Sequence, residues 1–154
     1  RWPLLLAVPA AALATEAARR ALPARYRRAD AIANVQAAMQ LAAALATGRR
    51  DGLARAMADR LHQPYRSRFC PLLGALQPLA ADPRGAVAGV ALSGAGPSVL
   101  MVVRSGRGIE AARRQARAAL RKAGFGAELL ATRISSRGAR ESWRQRRTPP
   151  GGRV

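Results

Sequence analysis

Residues 90–103 read VALSGAGPSVLMVV, two apolar runs separated by a loop that carries Gly94, Gly96 and Pro97. Short apolar runs bounded by glycine and proline read as buried strands, and the connection is longer than a two-residue hairpin turn. Glycine permits backbone angles closed to other residues and leaves no Cβ between the amides and a ligand. Successive N–H groups in such a bend make a concavity suited to an anion, and the hydroxyls of Ser93 and Ser98 could add donors. A wide hairpin turn with no ligand accounts for the same residues. The loop lacks the lysine of a Walker loop, and it leads into a strand where a dinucleotide fingerprint would lead into a helix.

The remaining chain supplies the partners for these strands. "RWPLLLAVPAAALA" (1–14) could be a secretory signal, with a basic residue, an apolar centre and an Ala-x-Ala ending. The single preceding charge and Pro9 favour a buried strand over residues 4–8. Thr15 is placed to cap a short helix with Glu16 in its first turn, ending at Pro23. Asp30 is placed to cap a long helix over 31–47, in which Ile32, Val35, Met39, Ala42 and Leu45 form one apolar face expected to turn inward. A second helix is expected near 51–60, with Leu53 and Met57 facing the core. Residues 62–71 read as a loop stiffened by Pro64 and Pro71, and 72–81 as a helix. Strands follow at 86–92 and 98–103, then an amphipathic helix over 108–124 with Gly124 as its stop, and a strand over 127–134. This order predicts an α+β fold: a mainly antiparallel sheet with helices packed on one face. Residues 1–134 form one domain. Residues 135–154 have no periodic apolar pattern and are expected to be a basic, disordered tail.

Composition narrows the function. With 154 residues, 49% of them hydrophobic, the chain has enough for one core, or for part of a larger protein. It begins at Arg1, and is expected to be a piece whose upstream part is missing. The net charge of +19 would ordinarily suggest nucleic acid, but Lys122 is the only lysine and arginines are spread along helices and tail. Six aromatic residues leave little to stack on bases. Cys70 and His62 are each alone, so there is no disulfide framework and no zinc spacing, which suits a reduced cytoplasmic enzyme. No apolar run approaches a membrane span.

"GVALSGAGPSVLMVV" (89–103) closely resembles the third conserved motif of the GHMP kinases, the family of galacto-, homoserine, mevalonate and phosphomevalonate kinases. "DRLHQPYR" (59–66), "LATEAARRALP" (13–23) and "DAIANVQAAMQLAAALATG" (30–48) resemble segments of the homoserine kinases in that family, in the same order and spacing. Ala14 stands where the second of these segments usually has serine. The family's phosphate loop, of the GLGSSAA type, is not found in the sequence. The resemblance therefore implies the C-terminal half of such an enzyme, with the ferredoxin-like fold of that domain.

The resemblance also implies roles. The complete enzyme would use ATP and Mg²⁺, bound mainly by the missing N-terminal half, to phosphorylate the side-chain hydroxyl of L-homoserine in threonine biosynthesis. Arg19 and Arg66 match the family arginines that grip the substrate, whose carboxylate suits a bidentate guanidinium. Thr15 could bond substrate near Arg19, although capping alone would explain it. Ser93, Gly94, Ala95, Gly96 and Ser98 would line the site. No catalytic residue and no metal ligand is assigned to this half. Arg20 and Arg68 are read as surface residues, His62 as a packing or hydrogen-bonding histidine, Asp59 as an ion-pair partner or helix end, and Cys70 as a buried thiol. The expected partners are the substrate, the missing N-terminal domain and a possible second copy in a homodimer. Three rivals remain: a GHMP kinase for another alcohol such as mevalonate, an arginine-rich nucleic-acid-binding module, and a decayed gene product with no activity.

Overall fold

The structure is a computed structural model that describes residues 2–10 and 15–135. The Ala-x-Ala ending, Ala14 and the tail from 136 onward lie outside the described residues, as does the side chain of Thr15.

Four strands, β1 (Pro3–Val8), β2 (Val87–Leu92), β3 (Val99–Val103) and β4 (Glu128–Arg133), form one sheet in the order β2-β3-β1-β4. Every neighbouring pair is antiparallel. This order places β3 between β1 and β2, the split arrangement of a ferredoxin-like fold. Alternation sorts the side chains. Leu5 opposes Met101 and Ala7 opposes Val99, and all four are fully buried on one face. In β2 the register shifts between Val87 and Gly89, so Ala88 is an extra residue in the ladder. That bulge lets Val87 and Val90 both join the same core.

Two helices cover this face. The first, α5 (Pro71–Leu76), brings Leu72, Leu73 and Leu76; the second, α6 (Ile109–Lys122), brings Ala112, Ala116 and Leu120. These three residues, at spacings of four, form the apolar stripe of the amphipathic helix expected over 108–124. A 3₁₀ turn, Gln77–Ala80, continues α5, so the helix expected over 72–81 changes pitch beside Pro78.

The opposite face is covered in part as well. Leu53 and Met57, on and just after α3 (Leu53–Ala56), pack against Ala88 and Val102. The Met57 sulfur occupies the space a Cβ on Gly89 would need. Outside α3 lies α2 (Arg28–Thr47), which offers Leu41 and Ala44 to this second cluster but has no buried residue. Its larger apolar residues, Ile32, Val35, Met39 and Leu45, are exposed. The inward side of α2 is thus the alanine-rich side, opposite to expectation. Asp30 sits in its first turn without capping it; Arg27 occupies the cap position.

Candidate functional site

The segment between α3 and α5 builds one wall of a cavity. Asp59 is the anchor: its carboxylate accepts the backbone N–H groups of Leu61 at 2.7 Å, His62 at 3.0 Å and Gln63 at 2.9 Å. Those amides lead into α4 (Gln63–Arg66), whose first turn contains Pro64. A carboxylate there satisfies donors the helix leaves open and complements its dipole. Burial pushes the Asp59 pKa up, but the three amides and the nearby His62 ring outweigh it and hold the carboxyl below its ordinary value. His62 Nδ1 lies 3.4 Å from Asp59 Oδ2. Arg60 turns away to Asp30 at 3.5 Å, so Asp59 lies against the His62 ring and not against the guanidinium of its neighbour.

One turn on, Gln63 is the one buried polar residue among those described, at 6% exposure. Its Nε2 donates to the Met57 carbonyl at 3.3 Å and its Oε1 accepts the Leu92 N–H at 2.9 Å. The side chain joins the end of α3 to the end of β2. Arg66 closes the turn. Its Nε donates to the Ala18 carbonyl at 3.3 Å, on α1 (Thr15–Arg20), and a terminal nitrogen donates to the Gly94 carbonyl at 3.5 Å. Tyr65 meets Tyr26 edge to face, with centroids 6.0 Å apart, and so ties the connector after α1 to the same turn.

The glycine loop forms the facing wall. Ser93 N–H donates to the Ser98 carbonyl at 2.9 Å and Gly96 N–H to the Ser93 carbonyl at 3.3 Å, which pins the bend across its base. Gly94 and Gly96 have φ of 64° and 89°, backbone that side-chain-bearing residues rarely adopt. The Gly96–Pro97 peptide is cis. Beneath the loop lies Cys70, fully buried, with its Sγ 2.5 Å from where a Cβ on Gly96 would stand. Burial pushes the Cys70 thiol pKa up, and the charge of Arg66 offsets this only in part. Among the described residues the Gly94 and Ala95 amides find no acceptor, so the bend retains donors for a ligand.

Between these walls is an open cavity of about 410 Å³ lined by Met57, Asp59, His62, Gln63, Arg66, Ala91, Leu92 and Gly94. That volume suits a small molecule. The cavity brings together Arg66 and Gly94 of the residues singled out from the sequence. Ser93, Ala95, Gly96 and Ser98 are half-buried in the loop behind Gly94. Arg19 is exposed on α1, one residue beyond the carbonyl that Arg66 holds. The backbone of Thr15 opens that helix. Arg20 reaches Glu16 at 3.2 Å on the surface, and Arg68 stacks 4.7 Å over the Phe69 ring, in keeping with their reading as surface residues. Gln63 and Leu92 were not singled out, and Met57 was read only as facing the core. An acidic residue shortly before a proline-bearing helical turn was the available signal for Asp59 as the anchor.

Comparison with known proteins places the chain in a family. The family model described as GHMP kinases C terminal matches residues 41–122. The homoserine kinase of Solibacter usitatus is 42% identical over 135 residues, covering 88% of this chain and 43% of its own length. That of Gloeobacter violaceus is 50% identical over 97 residues, 63% of this chain and 32% of its own length. A crystal structure of homoserine kinase from Cytophaga hutchinsonii superposes with a TM-score of 0.76 at 21% identity, over 86% of this chain and 42% of that one, and so speaks for the fold. The chain spans less than half the length of the curated relatives it matches. With more than half of its residues within the family model and a two-walled pocket at the matching motifs, the chain belongs to the GHMP kinases, as a C-terminal domain of that family.

Proposed function

We propose that this domain is the substrate-gripping half of a homoserine kinase, which transfers the γ-phosphoryl group of ATP to the side-chain hydroxyl of L-homoserine. The observation that carries the reading is Arg66, a guanidinium at the cavity wall beside Gly94 whose Nε holds the Ala18 carbonyl of α1, the residue before Arg19 in the chain. The names of the relatives support the same substrate.

Arg66 and Arg19 receive the substrate carboxylate. The 3.5 Å contact of Arg66 with the Gly94 carbonyl is at the long limit of a hydrogen bond, so an incoming carboxylate displaces it readily. The open amides of Gly94 and Ala95, with Ser93, Gly96 and Ser98 in the same loop and Thr15 four residues before Arg19 in the chain, orient the substrate towards the phosphoryl donor. Phosphoryl transfer needs chiefly positioning and charge neutralisation, and this half supplies the positioning. ATP and Mg²⁺ are held by the N-terminal half of such an enzyme, and the reaction takes place in the cytoplasm. No described helix is long and apolar enough to cross a membrane.

The test joins this chain to the part of the Solibacter usitatus enzyme that precedes its matched region, and follows ADP release with ATP, Mg²⁺ and either homoserine or mevalonate. Homoserine-dependent turnover is expected from the fusion, and none from the 154-residue chain alone. Arg66→Ala removes charge-assisted hydrogen bonds of about 1.5–3 kcal/mol, so KM for homoserine rises by roughly 10- to 100-fold while circular dichroism is unchanged. An unaltered KM, or a preference for mevalonate, overturns the reading.

A further inference from the structure

The bulge in β2 turns two small residues to the same face of the sheet. Ala88 joins the cluster of Leu53, Met57 and Val102 there. Next to it, a Cβ on Gly89 would stand 3.5 Å from Leu53 and would collide with the Met57 sulfur. Gly89 has no positive φ, so the backbone does not call for glycine at this point; the approach of Met57 does. Met57 is 8% exposed, and it belongs both to that cluster and to the wall of the 410 Å³ cavity. Its backbone is held on both sides. The N–H donates to the Leu53 carbonyl at 2.8 Å, and the carbonyl accepts Gln63 Nε2 at 3.3 Å. Only the side chain can choose its place.

We infer that Gly89 is a positioning residue for the substrate cavity: the space its missing Cβ leaves lets the Met57 side chain withdraw from the cavity, and so sets the room left for an aliphatic ligand. Methionine is unbranched with three rotatable bonds, so the thioether yields before the backbone does. It has no room to yield within its cluster. Leu53, Ala88 and Val102 are 1, 2 and 5% exposed, and a close-packed interior holds few voids. The open side is the cavity. One of its lining residues is Ala91, two places beyond Gly89 on the strand and therefore on the same face. A side chain at 89 would drive the Met57 thioether over Ala91, onto the apolar wall that a ligand's methylene groups would use.

This rests on the proposed function for the identity of that ligand, and the test separates the two. In the fusion described above, Gly89→Ala is expected to raise KM for homoserine by about 10-fold, the effect of one methyl group misplaced in an apolar pocket, with kcat little changed. Met57→Ala removes the side chain that is pushed, so adding Gly89→Ala to it should raise KM no further. A second rise, or an unchanged KM in Gly89→Ala alone, overturns the inference. Met57→Ala also tests the wall with Gly89 left in place. It is expected to shift the preference between homoserine and its homologue with one more methylene by about 10-fold towards the longer alcohol, and an unshifted preference overturns the inference. A readout independent of turnover comes from the isolated chain labelled with ¹³C at the methionine methyls, titrated with a soluble nitroxide. Met101, at 0% exposure, and Met39, at 68%, are the protected and open references. In Gly89→Ala the Met57 methyl is expected to move from protected towards open, and a methyl that stays protected overturns the inference. An open Met57 methyl in Gly89→Ala, beside a parent fusion that does not phosphorylate homoserine, upholds the role of Gly89 and sinks the substrate. Homoserine turnover with that methyl still protected does the reverse.

Discussion

Gln63 Oε1 accepts the backbone N–H of Leu92 at 2.9 Å, across 29 residues of chain. The opposite end of the same amide donates to Met57, so one buried side chain sets the spacing between the end of β2 and the turn that carries Arg66. Gln63→Leu keeps the volume but strands an amide N–H on one side and a carbonyl on the other. Each unpaired group costs about 1–3 kcal/mol. Urea unfolding of the chain should show a loss of about 2–6 kcal/mol for the pair, with little change in slope.

Asp59 should make the domain acid-sensitive. Its carboxyl is held below its ordinary value in the folded chain, whereas in the unfolded chain it takes up a proton near pH ~3.9. The resulting stabilisation is present above that pH and is lost as the pH falls through the lower, folded value. Asp59→Asn removes this dependence. Unfolding midpoints of the two proteins should differ at neutral pH, and the gap should narrow progressively below about pH 4.

Gly96 and Gly89 make a matched pair of tests. A Cβ at Gly96 meets Cys70 Sγ at 2.5 Å on backbone with φ of 89°. Overpacking of this kind costs about 1–3 kcal/mol, and the backbone strain adds to it. In Cys70→Ala the obstruction is gone, so the two substitutions together should cost less than their sum; the backbone component remains. A Cβ at Gly89 clashes with the flexible Met57 sulfur, meets Leu53 at an ordinary 3.5 Å and has no positive φ, so Gly89→Ala should cost less than Gly96→Ala in the same thermal melt.

Leu76 is fully buried between α5 and the sheet. Leu76→Ala should lower stability by about 2–5 kcal/mol. By contrast, Met39→Ala on the isolated chain should stay within about 0.5 kcal/mol, because its side chain is 68% exposed. Chemical denaturation of both variants checks the contrast.

The sheet and α6 were legible because their periods are unmistakable: alternation puts Val99, Met101 and Val103 on one face, and a 3.6-residue stripe puts Ala112, Ala116 and Leu120 against it. The glycine loop declared itself through residue types that only a bend requires. The orientation of α2 did not, because the largest apolar residues were assumed to seek this domain's own core. Alanines approach α3 closely, and Ile32, Val35 and Met39 face outward instead. Asp59 at a helix end was legible, and the structure places it there; the role of Gln63 was hidden for a different reason. A polar side chain in a non-periodic segment gains meaning only from which backbone amides turn towards it, and in the case of Leu92 that amide lies on a distant strand. Residues 63–66 and 71–76 became helical turns although the prolines suggested a loop and a later start; Pro64 and Pro71 each sit in the first turn, where proline is tolerated.

Arg66 reaches carbonyls 48 residues before it and 28 residues after it. Closing such spans carries an entropic cost that local contacts do not repay, so the recess between α4 and the glycine loop cannot assemble ahead of the sheet. Its backbone amides should therefore surrender their protons to heavy water in concert with those of β1 and β3, and a carboxylate ligand seated there would slow exchange across the whole domain.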